Sequence, residues 1–292
     1  MLKGSFVALV TPMAADGSVD EAGWTALLDW HLDAGTSGVV VAGTTGESAT
    51  VSEAEFAQLL SLAVERAAGR MTILAGTGSS STAATVERTA LAASLGADAA
   101  LVVTPSYNRP SQRGLIAHYR TVADASAIPV VLYNVPARTA VDLLPETSLT
   151  LAEHPNIVAI KEAVADAERV AALVDGGLPV LSGDDPSCCE RMLAGAQGVI
   201  SVAANVIPAP FARLCELATT GQGDQARALN GRYDELYEFL GVEANPVPVK
   251  WLLNAMGRIG PGIRLPLVPL DERWHDRGAA LVAALKEPVA LN

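Results

Sequence analysis

Eight short apolar runs, separated by longer segments of helical periodicity, are what this chain must fold around. They are Phe6–Val10, Gly38–Val41, Thr72–Ala75, Ala99–Val103, Val130–Tyr133, Ile157–Lys161, Pro179–Leu181 and Val199–Val202. Most are continuously apolar rather than alternating, as strands covered on both faces should be. Between them lie amphipathic stretches such as Asp20–Ala34, Ser52–Ala67, Thr82–Leu95 and Gln112–Ala125. Ser52 with Glu55 reads as a capping box, Ser111 can cap the segment after Pro110, and Gly35, Gly69 and Gly96 stand where helices should stop. Eight strand–helix units predict an α/β chain folded as a (β/α)8 TIM barrel. After Val202 the alternation ceases, so we expect the barrel over residues 1–221 and a C-terminal helical domain over 222–292. A doubly wound open sheet is the competing architecture. Its phosphate fingerprint is missing, because Gly76-Thr77-Gly78 is a lone GxG followed by serines.

Composition narrows the function. Half the residues are hydrophobic but only 4% aromatic, which implies a large core packed with Ala, Val and Leu. A net charge of −12 opposes binding to nucleic acid and to anionic membranes. Cys188, Cys189 and Cys215 form no C-x-x-C pair, and His31, His118, His154 and His275 are scattered. Neither a disulfide framework nor a metal site is indicated. The apolar run after Lys3 is too short for a signal peptide, and no stretch approaches ~20 apolar residues, so a cytoplasmic soluble protein is expected.

In a barrel the C-terminal strand ends converge on one face, where catalysis sits. Those ends carry Thr11-Pro12, then Gly43-Thr44-Thr45-Gly46-Glu47, Thr104-Pro105-Ser106-Tyr107-Asn108, Tyr133 with Arg138, Lys161, Ser182-Gly183-Asp184-Asp185, and Ile200-Ser201. Each has an ordinary structural reading: a turn-forming glycine–threonine cluster, a packed tyrosine, an arginine or lysine paired with a carboxylate such as Glu162. Together they suggest carbonyl chemistry. Burial disfavours the ammonium form of a lysine, and a neutral amine attacks carbonyls to give a Schiff base. The glycine-flanked threonines offer hydroxyls and backbone amides to a carboxylate. An amine, a phenol and a guanidinium at successive strand ends fit a small keto acid.

Taken together, Gly43-Thr44-Thr45-Gly46-Glu47, Tyr133-Asn134-Val135-Pro136-x-Arg138-Thr139 and Ile160-Lys161-Glu162-Ala163 resemble the motifs of the dihydrodipicolinate synthase family. So do Leu181-Ser182-Gly183-Asp184-Asp185, Gly198-Val199-Ile200-Ser201 and Asn245-Pro246-x-Pro248-Val249-Lys250, and the likeness runs from Lys3 to Leu285. The resemblance implies a pyruvate-dependent class I aldolase, commonly a dimer of dimers, with no metal or organic cofactor. Lys161 would form the imine with pyruvate, Thr44 and Thr45 would hold its carboxylate, and Tyr133 would move protons. Thr44 would link Tyr133 to Tyr107 of a neighbouring subunit. Gly183 and Ile200 would offer backbone carbonyls, and Arg138 would bind the carboxylate of L-aspartate 4-semialdehyde. N-acetylneuraminate lyases and keto-deoxy sugar-acid aldolases resemble the chain in the lysine, tyrosine and glycine–threonine parts but generally lack this arginine. Relatives often carry two adjacent tyrosines where this chain has Ser106-Tyr107.

The same resemblance places a lysine-effector cleft of regulated relatives at Ser48, Ala49, Glu53, Phe56, Ser80, Ala84 and Ser106. Regulated members typically carry histidine, asparagine, glutamate and tyrosine at the positions of Phe56, Ser80, Ala84 and Ser106. A charged ligand needs paired charges to offset its desolvation. The expectation is weak or absent inhibition by lysine.

Overall fold

Each of the eight runs forms a strand, and each strand pairs in parallel with its neighbours until the eighth returns to the first. In the computed structural model, which describes residues 2–285, these are β1 (Gly4–Ala8), β2 (Gly38–Val41), β3 (Thr72–Gly76), β4 (Ala99–Val103), β5 (Val130–Asn134), β6 (Ile157–Glu162), β7 (Val180–Ser182) and β8 (Gly198–Ser201). Around them run α1 (Glu21–Asp33), α2 (Glu53–Ala67), α3 (Thr82–Ser94), α4 (Gln112–Ala125), α5 (Pro136–Thr139), α6 (Pro145–Ala152), α7 (Ala167–Asp175), α8 (Cys188–Leu193) and α9 (Pro208–Thr219). Then come α10 (Gly223–Gly231), α11 (Asp234–Leu240), α12 (Val247–Ala255) and α13 (His275–Leu285). The architecture is a (β/α)8 barrel followed by C-terminal helices, and α9 lies against β1 and β8.

Local chemistry sets the element ends. Ser52 Oγ accepts the Glu55 amide at 3.3 Å while the Glu55 carboxylate takes the Ser52 amide at 2.8 Å, completing the capping box. Ser111 caps α4 through the Gly114 amide. Gly35, Gly69 and Gly96 all adopt positive φ just beyond helix ends. Strand β1 lies two residues earlier than its apolar run, because the Val10 amide donates to Asn205 Oδ1 at 3.0 Å instead of joining the ladder. Strand β8 stops at Ser201, where Val202 turns to helical angles and gives its amide to Asp185. The β5–β6 connection holds two short helices, each opened by a proline, Pro136 and Pro145.

Side-chain parity divides the core into two layers. Phe6, Ala8, Val40, Leu74, Ala99, Leu101, Val131, Ala159, Leu181 and Ile200 fill the barrel interior. The alternate residues, including Val7, Val39, Val41, Ile73, Val102, Leu132 and Ile160, meet Leu27, Leu28, Leu59, Leu60 and Phe211 of the helices. Each fully buried Leu or Phe contributes about 1.5–3 kcal/mol, and the pairing of β8 with β1 rules out an open sheet. Between β5 and β6 the register shifts by one residue: Val130 pairs with Ile157, but Val131 pairs with Ala159. That shift brings Tyr133 opposite Lys161.

Candidate active site

Tyr133 and Lys161 share the inward parity of Val131 and Ala159, so both project into the barrel at its C-terminal end. Both are buried, and the Lys161 Nζ lies 4.3 Å from the centroid of the Tyr133 ring. Space for the lysine comes from Gly183. A Cβ there would meet Lys161 Cε at 3.1 Å and Ala163 Cβ at 2.9 Å, and the Gly183 amide is held by the Glu162 carbonyl at 2.7 Å. Ile200 is buried on the same inner wall.

Across the barrel, the residues after β2 form a tight turn in which Gly46 and Ser48 amides donate to the Gly43 carbonyl and the Glu47 amide to that of Thr44. Ala42 and Glu47 both take positive φ, a conformation costly for residues with side chains. Gly76 of β3 permits it: a Cβ there would sit 2.2 Å from the Ala42 carbonyl oxygen. Thr44 and Tyr133 line one small cavity with Gly43, Ser48, Gly76 and Leu101. Thr45 is buried, and its hydroxyl accepts from Asn245 Nδ2 at 2.9 Å. Because that bond occupies a lone pair, the Thr45 proton is left to be donated, the polarity a carboxylate ligand requires.

Arg138 stands at the mouth, exposed, with Nη2 donating to the Asn245 carbonyl at 3.2 Å. It pairs with no carboxylate among the described residues. Tyr107 is the sequence-nominated residue that the single chain does not bring to the site. Its ring is 95% exposed on a loop where Tyr107 and Arg109 both have positive φ. Thus Lys161, Tyr133, Thr44, Thr45, Gly183 and Ile200 surround one end of the barrel, Arg138 guards its rim, and Tyr107 points to solvent.

Five further residues brace the loops around the site. Glu47 forms a buried ion pair with Lys250 of α12, and its second oxygen accepts the Arg264 amide at 3.2 Å. Burial pushes the Lys250 ammonium below its ordinary value, against the opposing pull of Glu47. The Arg264 guanidinium bridges Gly17 and Thr50 carbonyls to Glu55 and, with the Ser52 cap, holds the Glu55 carboxyl down to about 2. Asp185 accepts from the Val202 and Ala203 amides at 3.0 and 2.7 Å, joining the β7 loop to the end of β8; burial raises its carboxyl above the usual range. A lysine inside Val247-Pro248-Val249-Lys250-Trp251-Leu252-Leu253 was the sequence signal that a buried anion awaits it.

On the outer face, Phe56 is fully buried beneath the Arg88 guanidinium, 4.2 Å from its ring centroid, and the Ser80 and Ser106 hydroxyls are 3.2 Å apart. Ala84 and Glu53 are exposed there, and Ala49 and Ser48 lie along the turn after β2. A cation therefore already occupies this region, attracted to Glu53.

Among the described residues no three His, Cys, Asp or Glu side chains converge as a metal site, and no helix is long and apolar enough to cross a membrane. The sequence model of the dihydrodipicolinate synthetase family matches residues 1–285. The 4-hydroxy-tetrahydrodipicolinate synthase of Stenotrophomonas maltophilia is 53% identical over 291 residues, covering 98% of each chain. That of Xanthomonas campestris pv. campestris is 52% identical over 291 residues, covering 98% of this chain and 96% of the other. Among solved structures, the chloride-inhibited dihydrodipicolinate synthase of Acinetobacter baumannii, complexed with pyruvate, is 46% identical with a TM-score of 0.95, covering 98% of this chain and 100% of that one. With the fold reproduced and the likeness running through nearly its whole length, the chain belongs to the dihydrodipicolinate synthetase family.

Proposed function

We infer that this chain catalyses the 4-hydroxy-tetrahydrodipicolinate synthase reaction, condensing pyruvate with L-aspartate 4-semialdehyde on the diaminopimelate route to lysine. The observation that carries this reading is the pairing of Lys161 with Tyr133 across β5 and β6, both side chains directed into the barrel mouth. Kinship with named synthases and with a pyruvate complex supports the substrate pair. The Lys161 amine attacks the keto carbon of pyruvate, water leaves, and an imine results. Loss of a methyl proton gives the enamine, whose carbon attacks the aldehyde of the second substrate. That substrate's own amine then displaces Lys161, closing the ring and freeing the enzyme. Tyr133 carries protons in these steps, since a phenol can donate and accept without adding a fixed charge beside the amine.

Thr45 donates its hydroxyl proton to the pyruvate carboxylate, with Thr44 beside it. Arg138, unpaired with any carboxylate among the described residues, takes the carboxylate of the aldehyde partner in bidentate fashion. This favours the synthase over cleavage of N-acetylneuraminate or keto-deoxy sugar acids, whose polyhydroxylated partners carry no second carboxylate for a guanidinium to bind. Gly183 and Ile200 offer their backbone to the same substrates. We place Tyr107 in the relay of a neighbouring copy, because an exposed ring on a positive-φ loop is poised to reach beyond its own chain. The working unit is then at least a dimer, with a homotetramer as the expected assembly, acting in the cytoplasm. Borohydride reduction in the presence of pyruvate should add a pyruvate-derived mass to the Lys161 peptide, and the two substrates should be consumed together. An adduct on another residue, or none, would refute the assignment.

A further inference from the structure

Directly behind the active-site pair stands a second pair, and none of the chemistry above uses it. Asn134 follows Tyr133 and Glu162 follows Lys161, so strand parity turns both outward. Register partners on β5 and β6, they are both fully buried. Asn134 Nδ2 donates to both Glu162 oxygens at 3.1 Å and to Asp142 Oδ1 at 2.9 Å, while its Oδ1 accepts the Leu143 amide at 2.9 Å. Glu162 also accepts the Val164 amide at 2.8 Å and faces Arg169 at 3.4 Å. Arg169 continues to Asp142 at 2.5 Å and to the Leu143 carbonyl at 3.0 Å. From the other side, Arg191 donates to the Glu162 and Val164 carbonyls at 2.7 and 2.6 Å and to Ser182 Oγ at 3.2 Å.

Two geometrical consequences follow. The Asn134–Glu162 contact ties the ends of β5 and β6 together one residue beyond Tyr133 and Lys161, so it limits how far those inward side chains can drift apart. The loop from 135 to 143, which carries Arg138, leaves Asn134 and is returned to it through Asp142 and Leu143. A carboxylate buried so completely is costly unless each oxygen is answered. Here both are answered by groups that also fix the substrate-facing residues.

We propose that Asn134, Glu162, Arg169 and Asp142 form a positioning clamp behind the barrel mouth, setting Lys161 against Tyr133 and holding the Arg138 loop over the site. The proposal rests on the Schiff-base reading of Lys161. None of the four touches substrate; they act through the residues in front of them.

The test is Glu162→Gln in the full-length protein, which keeps the shape but sets an amide NH2 against the Asn134 NH2. Circular dichroism measures the folded fraction, and borohydride trapping of pyruvate on Lys161 is followed in time. A merely structural role lowers the amplitude of trapping in step with the folded fraction and leaves the rate constant alone. The clamp predicts that the rate constant itself falls about tenfold, and that KM for the aldehyde partner rises as the Arg138 loop loosens. A folded variant that traps pyruvate at the wild-type rate with unchanged KM overturns the clamp. Should Glu162→Gln fail to fold, Glu162→Asp, which retains the charge but withdraws it by one methylene, carries the same two expectations and the same refutation. No adduct in the wild-type protein would instead refute the Schiff-base reading itself, so the two failures are told apart.

Discussion

Replacing Lys250 with alanine should cost far more stability than a charged residue near a barrel rim would suggest. The Lys250 and Glu47 side chains are only 5% and 1% exposed, so their pairing is not screened by solvent. Removing one partner of such a pair leaves a buried charge and costs about 3–5 kcal/mol. Glu47 would still accept the Arg264 amide at 3.2 Å, which argues for the lower end, ~3 kcal/mol. For a chain of this size that corresponds to roughly 6 °C in Tm. The same change should raise KM for pyruvate, because α12 follows directly from Asn245, the residue hydrogen-bonded to Thr45. Urea denaturation of Lys250→Met, Glu47→Gln and Lys250→Met/Glu47→Gln, run beside Lys250→Ala, forms a double-mutant cycle. Burial already pushes Lys250 toward its neutral form, so the pair owes its presence to mutual compensation. The neutral double variant should therefore recover to within ~1.5 kcal/mol of wild type. A single-variant cost below about 1 kcal/mol, or a double variant as unstable as the two singles summed, would refute this account.

Arg138→Ala should still form the pyruvate imine while its kcat/KM for the aldehyde partner falls by about 1.5–3 kcal/mol, the range for hydrogen bonds to a charged group; wild-type selectivity in steady-state assays would contradict its role. Tyr107→Phe should slow turnover without shifting the unfolding midpoint, since it keeps the ring and removes only the hydroxyl; an unfolding midpoint that falls with activity would argue for packing instead. Glu55 is held down to about 2 from 4.5, so it binds its proton less tightly folded than unfolded. Its stabilisation is complete above 4.5 and lost as pH falls toward 2, and Arg264→Leu should flatten that acid limb in denaturation measured against pH. Activity titrated with millimolar L-lysine should change little, because Arg88 over Phe56 opposes the ligand's ammonium and Ala84 offers no carboxylate; strong inhibition would overturn this.

The barrel was legible because its cause is local. Continuous apolar runs fit only strands covered on both faces, and the caps at Ser52 and Ser111 and the stops at Gly35, Gly69 and Gly96 are short-range chemistry. Lys161 and Tyr133 were legible as strand-end residues. What sequence could not supply was the one-residue shift after Val130, which decides that they stand opposite each other rather than one rung apart. Nor could it show that Asn245 would lie against Thr45, 200 residues away in sequence. Such contacts depend on how the C-terminal segment folds back over the barrel, and no periodicity records that. The exposure of Tyr107 belongs to the same class, since a single chain supplies the loop but not what the ring meets.

The two carboxylate anchors proposed for the substrates sit on different strands, Thr45 after β2 and Arg138 after β5, yet one residue touches both. The Asn245 side chain donates to the Thr45 hydroxyl, and its carbonyl accepts from Arg138. The neighbouring Lys250 then locks the turn bearing Thr44 and Thr45 through Glu47, while Arg264 ties that turn to the start of α2. The β5–β6 ladder sets Lys161 opposite Tyr133, and the Asn134–Glu162 contact lies one residue beyond them. The ladder does not by itself hold the anchors, which lie past the strand ends in the turn after β2 and in the short helix α5. The C-terminal segment, through Asn245, Lys250 and Arg264, thus supplies contacts that the ladder lacks.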